Sequence, residues 1–251
     1  MVNSPALRVQ NLSAGYPGRG NIIQGVSFTA EAGERVGILG PNGAGKSTLF
    51  KALVGILPHN DGSISVDEQD CRSSHRGVAY VPQNNDLDWD FPVTVWDVVM
   101  MGRTRHIGWF RQPGGKDRAV VAAMLDRVGM SAFQNRRLRQ LSGGQRQRVF
   151  IARALAQESR VLLLDEPFSG VDVAAEEDIR ALLARLSADG VTMLVATHDL
   201  QNAKRDFDRL LLLKKTVLAY GPAAEVLQPK HLQGAWAGDP SLFGWAEAAS
   251  A

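Results

Sequence analysis

The stretch Gly40-Pro41-Asn42-Gly43-Ala44-Gly45-Lys46-Ser47 fits the pattern Gly-x-x-x-x-Gly-Lys-Ser, and it restricts what can surround it. Glycines at this spacing let backbone N–H groups turn inward around phosphates. The lysine adds positive charge, and the serine hydroxyl can bind Mg²⁺. Such a loop belongs between a strand and a helix, because the phosphate sits on the helix N-terminus. Both flanks are present. Arg35 to Leu39 reads as a buried strand, and Leu49, Phe50, Leu53, Val54 and Leu57 recur at helical spacing until Pro58. An ordinary glycine-rich turn with a surface lysine has no need of this setting. A nucleoside triphosphate is therefore expected at Gly40 to Thr48.

The rest of the chain must extend that unit into a sheet. Ala6 to Leu12 alternates, Val26 and Phe28 flank Ser27, and Ile64 and Val66 follow an expected turn at Asn60-Asp61-Gly62. Val78 to Val81 reads as a further strand, closed by Pro82-Gln83. Helical spacing then takes over across Val93 to Met101 and Asp117 to Val128, with Arg103 to Gly115 as a loop and a third helix over Gly144 to Gln157. Strands return at Val161 to Leu164, Val191 to Thr197 and Leu210 to Leu213. An amphipathic helix carries Ile179, Leu182, Leu183 and Leu186. The alternation predicts an α/β fold with a mostly parallel sheet flanked by helices. We expect one domain, its α/β core (1–83 and 161–251) split by a helical insertion over 84–160. Trp236, Phe243 and Trp245 near the end are expected to pack back onto the body.

Composition removes several classes of function. With 45% hydrophobic and 22% charged residues, the chain is globular in composition rather than disordered. Lys+Arg 28 against Asp+Glu 26 leaves a net charge of +2, too little for a nucleic-acid footprint. No apolar run approaches the roughly 18–20 residues of a spanning helix, and no export signal is visible at the start. Cys71 is the single cysteine, so no internal disulfide forms and a reducing compartment fits. A cytoplasmic chain is expected, with any membrane association made through partners.

Two further segments bear chemistry. Val161 to Leu164 is a buried strand delivering Asp165 and Glu166 at its C-terminal end, where open α/β sheets bind ligands. Asp165 suits holding Mg²⁺ directly or through water, and Glu166 suits aiming an attacking water at a phosphate. Leu141-Ser142-Gly143-Gly144-Gln145 opens a helix with Ser142 as N-cap and two glycines exposing N–H groups, a second anion cradle.

Taken in order, these motifs resemble the nucleotide-binding subunit of an ATP-binding-cassette (ABC) transporter, over Leu7 to about Leu227. The phosphate loop Gly40 to Thr48 is followed by a glutamine loop at Gln83, the signature Leu141 to Gln145, a strand ending in Asp165-Glu166, the loop Ser169-Gly170-Val171-Asp172 and a switch histidine, His198. The resemblance implies an ABC ATPase fold, with an antiparallel β subdomain and an inserted helical subdomain beside the P-loop core. It implies that Tyr16 stacks on adenine and that Gln83 contacts Mg²⁺ or the water and senses the helical insertion. It also implies that His198 binds the γ-phosphate and orients Glu166. A head-to-tail homodimer follows, with ATP between Lys46 of one copy and Ser142 of the other and with Asp172 crossing the interface. The Asp172 loop reads Ser-Gly-Val-Asp where many relatives have alanine and leucine in the middle.

A finer resemblance lies after Gln83. Asp88-Trp89-Asp90-Phe91-Pro92-Val93-Thr94-Val95, then Asp97 to Arg103, is similar to ATPase subunits of manganese, zinc or iron importers. It implies a groove receiving a short helix of a membrane permease, which an exported metal-binding protein would supply. Siderophore and haem importers are the alternative, and cassettes acting on DNA or ribosomes a more distant one. The latter usually carry two cassettes or a long coiled coil, and no nucleic-acid partner is expected here. A binding module without catalysis is disfavoured by Glu166. The cargo metal is not expected to touch this chain: Cys71, His75 and His59 read as a solvated turn region rather than a metal site.

Overall fold

The computed structural model describes residues 5–18, 20–71, 77–83, 92–108 and 111–236. Expectations for Asp88 to Phe91, for His75 and for Phe243 and Trp245 lie outside the described residues. Two sheets build the molecule. An antiparallel sheet runs in the order β2-β1-β4-β5, from β1 (Leu7–Ala14), β2 (Ile23–Ala30), β4 (His59–Val66) and β5 (Gln69–Asp70). A six-stranded sheet runs β10-β9-β3-β8-β7-β6. Its members are β3 (Arg35–Leu39), β6 (Val78–Val81), β7 (Val161–Asp165), β8 (Thr192–Thr197), β9 (Arg209–Lys214) and β10 (Thr216–Gly221). All pairings in it are parallel except β9 with β10.

The central strands are apolar along their whole length because both faces of the sheet are covered. Alternation then sorts their side chains into two cores. Leu162 and Leu164 of β7, with Met193 and Val195 of β8, join one core. The helices on that side include α2 (Val95–Met101), α4 (Gly115–Arg127), α5 (Gly143–Leu155) and α6 (Val173–Ala188). Val161 and Leu163, with Leu194 and Ala196, face the other way, onto α1 (Lys46–Leu53) and the antiparallel sheet. Short helices α7 (Leu200–Asp206), α8 (Ala223–Val226) and α9 (Pro229–Ala235) finish the chain. Among the described residues no helix is long and apolar enough to cross a membrane.

Several expectations need correction. Asn60-Asp61-Gly62 is not a turn but part of β4, at a register shift where Asp61 pairs with Ser13. Gly62 takes φ 90°, and a Cβ there would lie 2.5 Å from the Gln10 carbonyl oxygen. The bulge therefore needs the glycine that sequence reading assigns to a turn. The expected loop after Arg103 contains a one-turn helix, α3 (Thr104–Ile107). Arg103 itself is 2% exposed, pairing with Asp117 at 3.1 Å and Glu158 at 2.6 Å and donating to the Ala156 carbonyl. Trp96 is half-buried against the helical core. Cys71 is buried rather than solvated, and burial pushes its thiol pKa up.

Candidate functional site

The C-terminal ends of β3, β7 and β8 converge on the loop before α1. Gly45 takes φ 104°, and a Cβ on it would meet Ile23 at 2.5 Å, so only glycine fits where the loop turns into the helix. Lys46 follows as the first residue of α1. Its ammonium donates to the Gly40 carbonyl at 2.7 Å and lies 3.9 Å from a Glu166 oxygen. Burial lowers the Lys46 pKa, while Glu166 and Asp165 oppose that shift. A buried cation on a glycine-rich loop is an anion seat.

β7 supplies the opposing carboxylates. Asp165 is buried and accepts from the Tyr80 hydroxyl at 3.1 Å and from Ser47. Burial raises its pKa, the Ser47 and Tyr80 hydrogen bonds pull it back, and neighbouring Glu166 raises it further. Glu166 follows the strand with φ 48°, a left-handed backbone that costs a non-glycine residue roughly 1–2 kcal/mol. Two hydrogen bonds hold it there: its N–H donates to Ala196 O at 3.0 Å, and its carbonyl accepts from Ser169 N–H at 3.1 Å. A strained residue fixed from both sides fits a functional position. His198, one residue past β8, brings Nδ1 to 3.1 Å from the second Glu166 oxygen.

Two contiguous clefts receive these groups. One, of about 320 Å³, is lined by Pro41 to Thr48 together with Gln83 and Glu166. The other, of about 1200 Å³, shares Gln83 and Glu166 and is bounded by His198, Phe168 and Trp236. Gly40, Pro41, Asn42, Gly43, Ala44, Gly45, Lys46, Ser47, Thr48, Gln83, Glu166 and His198 thus border one continuous space, with Asp165 behind Ser47. Ser142, Gly143, Gly144 and Gln145 line neither cleft, and neither does Tyr16. Tyr16 is exposed, with its hydroxyl 3.3 Å from Lys51 Nζ.

The second glycine-rich start is well formed where it stands. Ser142 Oγ accepts from Gln145 N–H at 3.3 Å, and Gln145 Oε1 accepts from Ser142 N–H at 3.0 Å, a reciprocal capping box. Gly144 has a packing reason absent from the sequence reading: a Cβ there would lie 2.6 Å from Ala175 Cβ on α6. Asp172, expected at an interface, caps α6 by accepting from Ala175 N–H at 2.9 Å.

The family model of the ABC transporter matches residues 23–169, the segment from β2 through both carboxylates. The chain belongs to the ABC transporter family. It is an ATP-binding ABC ATPase, part of a transporter complex with a permease. Similarity to curated relatives extends almost end to end. The manganese transport system ATP-binding protein MntB of Halalkalibacterium halodurans is 47% identical over 240 residues, covering 96% of this chain and 95% of that protein. The zinc transport system ATP-binding protein TroB of Treponema pallidum is 43% identical, covering 93% and 87% respectively. A solved inward-facing ABC transporter of the metal-chelate type superposes with a TM-score of 0.83 at 33% identity, covering 93% of this chain and 90% of that one. The fold is that of the ABC cassette.

Sequence reasoning missed several residues bordering the ABC site. Phe168, Glu176, Asp199 and Trp236 all line the larger cleft. Trp236 was expected only to pack on the body, and it does so while closing one wall. Arg180 was also passed over. The signal was available: it flanks the apolar stripe Ile179, Leu182, Leu183 and Leu186, where a solvated arginine does not belong, and it is buried.

Proposed function

We propose that this ABC ATPase powers uptake of a metal ion, manganese, zinc or iron, from the inner face of the cell membrane through its permease, with an exported metal-binding protein delivering the cargo. The observation that carries the cargo reading is similarity to manganese and zinc transport ATPases over more than nine-tenths of the chain. The likeness to a metal-chelate transporter favours a chelated metal as the second reading, at lower identity.

In this reading Lys46 and the N–H groups of Gly40 to Thr48 hold the phosphates and Tyr16 stacks on adenine. A hydroxyl and a buried carboxylate already in contact, Ser47 and Asp165, are hard oxygen donors of the kind Mg²⁺ takes, with Gln83 beside them. When bound, Mg²⁺ supplies charge neutralisation between the phosphates. Glu166 accepts the proton as the water oxygen bonds to the γ-phosphorus and the bond to the leaving diphosphate breaks. His198 orients Glu166 and contacts the γ-phosphate. Ser142 to Gln145 stand outside the cleft of their own chain, so we assign them to the nucleotide of a second copy in a head-to-tail dimer. Residues 84–160 then act as the arm that meets the permease. ATP would favour the closed dimer, and hydrolysis would remove those contacts.

Cellular metal content tests the cargo. Deleting the gene should lower one of manganese, zinc or iron, and a plasmid copy carrying Glu166→Gln should not restore it. Unchanged content of all three metals, supplied free or chelated, would overturn the reading.

A further inference from the structure

The catalytic pair proposed above, Glu166 and His198, sits on two separate loops, and a single buried side chain touches both supports without touching either residue. Arg180 on α6 is 6% exposed at its side chain. Its guanidinium lies 4.3 Å from the Phe168 ring centroid, and Phe168 is two residues past Glu166. It also donates to Asp199 at 2.6 Å, and Asp199 is the residue after His198. Glu176 and Asp206 complete its ion pairs. From this geometry we infer that Arg180 is a positioning residue for hydrolysis, setting the 3.1 Å contact between His198 and Glu166. The inference rests on the reading of that pair as catalytic.

The charges explain why the clamp needs an arginine. Three carboxylates, Glu176, Asp199 and Asp206, converge on one guanidinium, and Asp206 also pairs with Arg205 at 2.9 Å. Without Arg180 these acids repel one another across the space between α6 and α7. Asp199 anchors the start of α7, accepting from Gln201 and Asn202 N–H groups. Burial tends to raise its pKa, and hydrogen bonds from Asn202 and Arg180 outweigh that, keeping the carboxylate charged. Displacing Asp199 moves His198 with it. On the other side, Phe168 loses the cation that its ring face binds, freeing the turn that fixes Glu166. A lysine keeps the charge but offers neither the planar fork nor the stack.

Turnover and ATP KM of the purified full-length chain test this, with thermal melting as the control for folding. Arg180→Met should lower kcat by about 10–100-fold with KM for ATP unchanged, because a displacement near 1 Å suffices for such a loss. Arg180→Lys should recover part of it, and serves in its place if the methionine variant does not fold. The deciding readout is the double variant. Added to His198→Ala, Arg180→Met should cost less than about twofold more, since residues acting through one another are not additive. Normal kcat in both Arg180 variants, or losses that multiply with His198→Ala, would overturn the role of Arg180 alone. Unchanged turnover in His198→Ala would overturn the catalytic pair and the clamp together.

Discussion

Gly144→Ala isolates one contact that sequence reading could not supply. The added Cβ would stand 2.6 Å from Ala175 Cβ, against about 3.5–4.0 Å for carbon atoms in contact. Relief needs α5 and α6 to part by about 1 Å, because both partners are Cβ atoms fixed to backbone and cannot rotate away. Overpacking of this kind costs about 1–3 kcal/mol. In a chain of this length that lowers the melting temperature by about 2–12 °C. The N-terminus of α5 moves as well, because a Cβ on Gly143 would already lie 3.0 Å from Gly170 O. ATPase activity should therefore fall further than stability, by up to about 100-fold for a shift near 1 Å. Ala175→Gly removes the other half of the clash at a helix-propensity cost of about 1 kcal/mol. The double variant Gly144→Ala/Ala175→Gly should regain most of the lost melting temperature and activity. Melting as wild type in the single variant, or no recovery in the double, would refute close packing as the reason for this glycine.

Two further outcomes follow from the buried charges. Lys46→Ala should abolish ATP binding, read by calorimetry, without lowering the nucleotide-free melting temperature, since burial disfavours that cation; unchanged affinity would count against the phosphate loop. Asp165 has a folded pKa raised above its ordinary value. From about pH 4 up to that raised value the native state therefore holds more protons than the unfolded one, and stability falls as pH rises through the window. Asp165→Asn should flatten this slope, melt no lower than wild type at pH 7, and weaken ATP binding in Mg²⁺ more than in its absence. A variant that melts well below wild type, or binds Mg²⁺-ATP normally, would contradict the assignment.

What could be read in the sequence is what backbone geometry dictates locally. The phosphate loop is legible because glycine spacing between a strand and a helix has few other uses, and the central strands because covered faces demand unbroken apolar runs. Features set by distant partners were not legible. Gly62 carries turn composition, yet it serves a bulge against Gln10 and Asn11. The β9–β10 hairpin escaped notice because Lys215, at φ 62°, makes its tight turn where glycine or asparagine would have marked it. Arg103 looks like a surface residue until its carboxylate partners Asp117 and Glu158, many positions away, are brought to it. The site divides in the same way. Lys46 is recognisable from its glycine loop, Glu166 from its strand end and His198 only through the family resemblance, whereas the contact between His198 and Glu166 and the supports behind it came only with the fold.

We propose that Glu166 is the base of a site that one copy holds and a second copy completes. Glu166→Gln keeps the size of the side chain and removes its ability to take a proton. Turnover and molar mass of this variant, measured together with ATP and Mg²⁺, address the claim most directly. ATP binding should be retained, hydrolysis should slow by at least ~100-fold, and an ATP-bound dimer should accumulate. Near-normal turnover, or a variant that binds ATP and stays monomeric at every concentration, would contradict it.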